Sequence, residues 1–412
     1  MISRLLSRSR LPSEVWAVAT VNFFVAVGFG LVAPAIPLFA REFGVGNFAA
    51  GAVISVFALM RFVSALASGR WVDAVGERLI LASGIGVVAV SSLLAGFAQN
   101  YVQLIVLRGL GGVGSAMFTV AAVSLLLRVV GPELRGQATG TAMAGFLLGA
   151  VMGPAFGGPL AEISLRLPFF VYAVTLTIAG TIGMVALRRA ELRAGPASGS
   201  EEPAPTPVRQ ALRQPAYRAA VATNFLNGWT TFGLRTSLIP VFVVEGLSLG
   251  ASWIGFGLVV SALVQTVMQV PAGRLADRRG RKPFLMLGVL LGVACMLLLV
   301  FTDDATLYLV GMALFGASSA FVGTASAAVV GDVIHGRGGR PVAVYQMASD
   351  AGTFIGPMAA GWLSDEFDYA TAFAVTAGVA AVSVGTVAVM PETRHIPGSV
   401  HPDPESTPRS LS

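Results

Sequence analysis

Four ionisable residues, Arg61, Arg108, Arg235 and Asp350, fall inside long apolar runs of this 412-residue chain. On insertion scales such a group costs about 2.5–3.5 kcal/mol, so each is expected to face an interior seam or a water-filled path. Asp350 is the only acid in mid-run. Its carboxyl can take up and release a proton, or stay ionised as the structural partner of a base. Burial and a neighbouring arginine pull a carboxyl's proton affinity in opposite directions, so both readings stand. Arg235 either meets a substrate path or pairs with Glu245. Asn22, Asn224, Asn227 and Trp229 are candidates to line such a path. The competing reading for each is a hydrogen bond between helices.

These residues need apolar elements to position them. Apolar residues make up 55% of the chain and charged residues 12%, with a mean hydropathy of +0.77. Soluble domains carry about 25% charged residues, so a soluble protein is excluded. A bilayer-crossing helix needs roughly 20 apolar residues. Twelve such runs are read near 15–40, 48–69, 79–98, 102–128, 137–160, 167–187, 217–243, 251–272, 283–302, 306–330, 341–363 and 371–390. The expected fold is an all-α integral membrane protein with twelve transmembrane helices.

An even number of spans puts both termini on one side. That side collects the arginines: Arg4, Arg8, Arg10, Arg70, Arg78, Arg128, Arg135, those of the central loop, the run from Arg274 to Lys282, Arg337 and Arg340. The other side has only Arg41 and Arg166, but holds the acids Glu42, Glu162, Glu245, Asp303, Asp304, Asp365, Glu366 and Asp368. Basic residues stay inside, so both termini are expected in the cytoplasm, with the chain in the plasma membrane. The net charge of +6 follows from this asymmetry rather than from a nucleic-acid surface. Cys295 is the only cysteine. It allows no intrachain disulfide and no cysteine metal cluster. The N-terminal apolar stretch is too long for a signal peptide and is read as an uncleaved first helix.

The chain also repeats itself. Gly69-Arg70-Trp71-Val72-Asp73-Ala74-Val75-Gly76-Glu77-Arg78 and Gly273-Arg274-Leu275-Ala276-Asp277-Arg278-Arg279-Gly280-Arg281-Lys282 lie 204 positions apart, each between two apolar runs. Gly76 and Gly280 permit a tight turn. The second copy is richer in bases; the first has Trp71, Ala74 and Glu77 instead, so its charge network is expected to be thinner. Gly149, Gly153, Pro154 and Gly158 answer Gly352, Gly356, Pro357 and Gly361. A Pro- and Gly-rich stretch at 188–216 separates two six-helix halves, 1–187 and 217–390. The polar tail 391–412 is expected to be disordered.

The twin loops resemble the loop between helices two and three of the major facilitator superfamily. Gly140, Gly149, Gly153-Pro154 and Gly157-Gly158 on the fifth run resemble that family's antiporter motif at each fixed position. Arg108 with Gly109, Gly112 and Gly114 resembles a third motif, with Gly111 where a glutamine is usual. The resemblance implies two pseudo-symmetric halves in the major facilitator fold, a substrate site between them at mid-membrane, and rocking about that site. It implies that Asp73 and Asp277 latch the halves by capping a helix of the opposite half, helped by Arg78, Arg278 and Arg281. It implies proton transfer for Arg108. It makes the second and eleventh helices neighbours, so Arg61 and Asp350 are expected to pair across the seam. It places Asn22, Asn224, Asn227 and Trp229 on cavity-lining helices, and it implies a monomer.

No His-Glu-x-x-His pattern, no pair of mid-run aspartates and no phosphate-binding glycine loop is present. No metal, cofactor or enzymatic activity is expected. The partners expected are the lipid bilayer, a small-molecule substrate and protons. The reading is a secondary transporter of the twelve-helix drug/proton antiporter type, exporting amphipathic or lipophilic compounds. Its alternatives are an uptake carrier on the same fold and, with less support, a non-transporting sensor.

Overall fold

A computed structural model describes residues 11–130, 135–186, 207–333 and 339–393. The N-terminal arginines, most of the linker, the residues around His335 and Arg337, and the tail from Arg394 with His395 and His401 lie outside the described residues. So does the side chain of Asp73.

The described chain is helical. Ten of its helices are long and apolar enough to cross a membrane. The seventh span is broken and the eleventh is less apolar; together they complete twelve. The first span runs Ser13–Val32, breaks at Ala33-Pro34 and resumes as Ala35–Arg41. The break follows from proline's missing N–H and its clash with the preceding turn. Asn47–Val75, Glu77–Gly96, Tyr101–Val129, Arg135–Ile163 and Leu167–Ala186 form spans two to six. A short helix, Val208–Arg213, sits within the stretch read as linker. The seventh span starts as Pro215–Gly228 and then widens into π-helix over Trp229–Leu238 and Phe242–Gly246. Pro240, between the two π segments, supplies no N–H to the ladder, and i→i+5 pairing is one way a helix absorbs that loss. Ala251–Arg279, Arg281–Val300, Ala305–Val333, Gly339–Glu366 and Tyr369–Val389 form spans eight to twelve.

Apolar residues pack inside each half and also cover its outside. One buried cluster draws on spans one to six; two more belong almost wholly to spans seven to twelve. On the outer walls, Val106, Val267 and Val382 are 55%, 65% and 70% exposed. Such surfaces fit lipid, where association depends on close backbone packing rather than water exclusion. Within the first half, the first span packs on the fifth and sixth, and the fourth on the second and third. The second half repeats this: the seventh span packs on the eleventh and twelfth, and the tenth on the eighth and ninth. The halves meet where the second span touches the eleventh and the fifth touches the eighth.

Candidate substrate path and gates

Glycines let the first and fifth spans approach at backbone distance. A Cβ on Gly149 would lie 2.4 Å from the Phe23 carbonyl oxygen, and one on Gly153 2.5 Å from that of Val27. One on Gly157 would lie 2.6 Å from the oxygen of Leu31. Gly145, four residues earlier and missed in the sequence reading, is tighter still, at 2.1 Å from the oxygen of Ala19. The eleventh span repeats the seam on the seventh, with Gly352 facing Phe225 and Gly356 facing Trp229. Gly140, the first residue of the motif, faces open space. The motif therefore splits: a tight seam from Gly145 to Gly157, Gly158 set against Gly255 of the opposite half, and Gly140 outside both.

The contacts that join the halves gather at the end of the bundle opposite the chain termini. Asp365, at the end of the eleventh span, accepts the amides of Asn47 (2.8 Å) and Phe48 (2.8 Å) at the start of the second. Glu162, at the end of the fifth span, accepts the amide of Ser252 (2.9 Å) at the start of the eighth. These are equivalent contacts in the two halves, since Glu162 and Asp365 are 203 positions apart. The first amides of a helix have no partner within it, and a carboxylate there gains from both hydrogen bonds and the helix dipole. Arg41 adds a two-pronged pair with Glu245, at 3.0 and 2.9 Å. Deeper in, the Ser55 hydroxyl donates to the carbonyl of Phe354 at 2.6 Å, and Gly51 lets the second span lie against the backbone of Pro357.

Replacing both acids by their amides (Glu162→Gln with Asp365→Asn) should loosen this end. Spin labels at Val102 and Phe301, both exposed at that end, should then report a new longer-distance population. An unchanged distance distribution would mean that the two carboxylates do not hold the closure.

Toward the termini lie the groups expected to do chemistry. Asp350 sits one helical turn beyond Phe354, half-buried. Arg61 faces it across the seam within electrostatic reach. Among the described residues no ion pair joins them, so the expected pair is a facing arrangement without contact. Arg108 is only 3% exposed. Its guanidinium lies 4.5 Å from the centre of the Phe57 ring, and its Nε has no partner. It is enclosed by the first half.

Several path candidates are committed elsewhere. Asn22 donates to the carbonyl of Ala142 (3.1 Å), and Asn224 to that of Tyr345 (2.7 Å). These are matching bonds between helices in the two halves, the competing reading for both. Trp229 is 8% exposed, within the core of the second half, and its indole N–H donates to Thr376 Oγ1 (3.2 Å). Asn227 and Arg235 stay half-buried. Arg235 does not pair with Glu245, which Arg41 holds; its guanidinium lies over the Phe315 ring, 5.5 Å from the centre.

The loops also differ from expectation. Gly76 and Gly280 do adopt positive φ, +96° and +110°. Gly69 and Gly273 face open space. Asp277 does not reach the first half: it pairs with Arg281, which also binds Asp332 at 3.1 Å. Glu392, just past the twelfth span, accepts the amides of Arg281 (2.7 Å) and Lys282 (3.1 Å). The second loop is thus a brace within its own half. Arg278, expected to help a latch, is exposed on the same turn. In the first loop, Arg78 donates to the Met184 carbonyl at 3.0 Å, tying the third span to the sixth. Glu77, counted as a loss of charge network, pairs with Arg128 at 2.9 Å. The acid recruits a base from the fourth span, but with one ion pair against the two of Arg281 the described network of the first loop is the thinner of the two.

A family model described as Major Facilitator Superfamily matches residues 18–262 and 220–411. The chain is 29% identical over 371 residues to multidrug resistance protein MdtG of Salmonella heidelberg (strain SL476), covering 87% of this chain and 90% of that one. It is 27% identical over 259 residues to multidrug resistance protein 1 of Bacillus subtilis (strain 168). That match spans 60% of this chain and 63% of the Bacillus protein. In fold it resembles a bacterial homologue of the human lysosomal transporter Spinster in its inward-facing, occupied conformation. The TM-score is 0.71 at 15% identity, over 91% of this chain and 95% of that one. The unoccupied inward-facing form gives 0.67 over 92% and 96%.

Proposed function

The chain belongs to the major facilitator superfamily, and we propose that it exports small amphipathic or lipophilic compounds in exchange for protons. It is a multi-pass membrane transporter, not an enzyme; its setting is the lipid bilayer and its substrate a small molecule.

The observation that carries it is Asp350. This acid stands half-buried on the terminal side of the Ser55–Phe354 bond between the halves, opposite Arg61 but not locked to it. A carboxylate in apolar surroundings is costly when charged and less so when protonated. The facing guanidinium reverses that preference when the halves close. A group balanced in this way binds and releases a proton as the seam opens and shuts. The Gly145–Gly157 seam and its counterpart at Gly352 and Gly356 keep each half stiff while it moves, and the carboxylate clasps at the far end are the contacts that must break.

With both termini in the cytoplasm of the plasma membrane, the clasped end is the outer one, and a carrier closed there is poised to load an export substrate from inside. The relatives named multidrug resistance proteins support export. Asp73 fits the role of an inner latch when the opposite end closes. The carrier works as a monomer, because each chain contains both halves. A growth-inhibition panel that compares deletion and overexpression strains tests the direction. Export predicts that overexpression protects against at least one class of amphipathic compound. Sensitisation by overexpression would instead favour the uptake carrier.

A further inference from the structure

Asn227, Thr231 and Arg235 stand on one face of the seventh span. Thr231 Oγ1 donates to Asn227 Oδ1 at 3.3 Å, which fixes the first two as neighbours; Arg235 follows four positions later. All three are half-buried, whereas Trp229, Leu234, Ser237 and Leu238 of the same segment are buried. Thr231 and Arg235 lie in the π-helix Trp229–Leu238. Such widened turns are rare and gather at functional sites. This segment also packs against the second span and the Ala35–Arg41 helix of the opposite half, so it borders the seam between the halves.

Charge says what the stripe would hold. Among the described residues no carboxylate meets Arg235: Arg41 holds Glu245, and Asp350 faces Arg61. The guanidinium stays protonated in proteins, and an unpaired buried charge is unfavourable. An occupant that brings a negative group relieves this. A planar guanidinium matches a carboxylate, sulfonate or phosphate with two parallel hydrogen bonds. Next to it, the Asn227 amide supplies further donors. The buried Phe315 ring lies 5.5 Å from the guanidinium and backs it from the core of the second half.

We propose that Asn227, Thr231 and Arg235 form a binding site for the acidic group of an amphipathic anion, so that acidic lipophiles are among the transported compounds. This rests on the reading of the chain as a small-molecule transporter and names a substrate class for it. An anionic lipid headgroup offers the same chemistry, and the test separates the two.

The probes are 8-anilinonaphthalene-1-sulfonate and N-phenyl-1-naphthylamine, which share a skeleton and differ by the sulfonate. Binding is measured by fluorescence with the full-length protein in phosphatidylcholine nanodiscs. Arg235→Gln is expected to weaken sulfonate binding by about tenfold or more, the scale of a lost charge-assisted pair. It should leave the neutral probe within about twofold, and Arg235→Lys should recover part of the loss. Thr231→Val should produce the same split on a smaller scale, which keeps the test available if Arg235→Gln does not fold. Equal weakening of both probes would mean a structural arginine and would overturn the site. Loss of the sulfonate preference in phosphatidylglycerol nanodiscs would assign the site to lipid and overturn it as well. The binding needs no ion gradient, so it can stand even if proton-coupled export fails.

Discussion

Gly153→Val is expected to remove most of the folded transporter, while Gly140→Val leaves it intact. Both positions belong to one recurrent pattern, so a role of the pattern as such would predict equal harm. The geometry predicts otherwise. A Cβ on Gly153 would lie 2.5 Å from the Val27 oxygen and 2.7 Å from the Gly30 Cα, and nothing lies within 4 Å of one on Gly140. The atoms in the way are backbone, which cannot turn aside as a side chain can. Overpacking typically costs about 1–3 kcal/mol, and a clash with main chain along a helix seam belongs at or above the top of that range. The first and fifth spans would have to part along several turns, because Gly145, Gly149 and Gly157 share the same seam. Thermal unfolding followed by size-exclusion chromatography of detergent-solubilised protein provides the reading. Comparable midpoints for the two variants would show that the seam is less close than described.

Asp350→Asn is expected to abolish gradient-driven accumulation while sparing exchange. Asparagine keeps the shape and loses the ionisation. Among the described residues no ion pair joins Arg61 and Asp350, although the arginine lies within electrostatic reach of the acid. At an effective dielectric of about 20, unit charges 4 Å apart interact by roughly 4 kcal/mol, and more weakly when farther apart. The acid is therefore biased by the arginine rather than held by it, as a site that cycles protons requires. In proteoliposomes, accumulation driven by an imposed pH gradient should fall at least about tenfold, a loss of roughly 1.4 kcal/mol of driving force or more. Exchange of labelled for unlabelled substrate without a gradient should continue, and Asp350→Glu should retain coupling. If exchange is lost together with accumulation, Asp350 is a structural residue.

Much of the scaffold can be read from the residue pattern, because it rests on patterns that repeat. Twelve apolar runs, the loops ending at Gly76 and Gly280, and the matching glycines of the fifth and eleventh spans are all visible without coordinates. The site is harder to read. Glu162 and Asp365 enter the sequence reading only as acids of the outer face, since nothing local shows that each reaches the first amides of a helix in the other half. The signal is nevertheless present: the 203-residue offset that relates Gly149 to Gly352 and Gly158 to Gly361 also relates these two acids. For Asn22 and Asn224 the competing reading, a bond between helices, is the one the structure bears out. The partner of Glu77, Arg128, lies some fifty residues on, so nothing local shows that this acid joins an ion pair. The π-helix of the seventh span has no periodic signature, and Pro240 is its only local mark. Of the two readings open for Arg235, pairing with Glu245 fails because Arg41 reaches that acid from the other half with two hydrogen bonds.

The most direct measurement is substrate movement by the purified wild-type protein in proteoliposomes under an imposed pH gradient, with no other energy source. Export in exchange for protons predicts that substrate accumulates on the side that protons leave, and that collapsing the gradient with a protonophore abolishes the accumulation. Substrate that equilibrates at the same rate and to the same level with and without the gradient would contradict it.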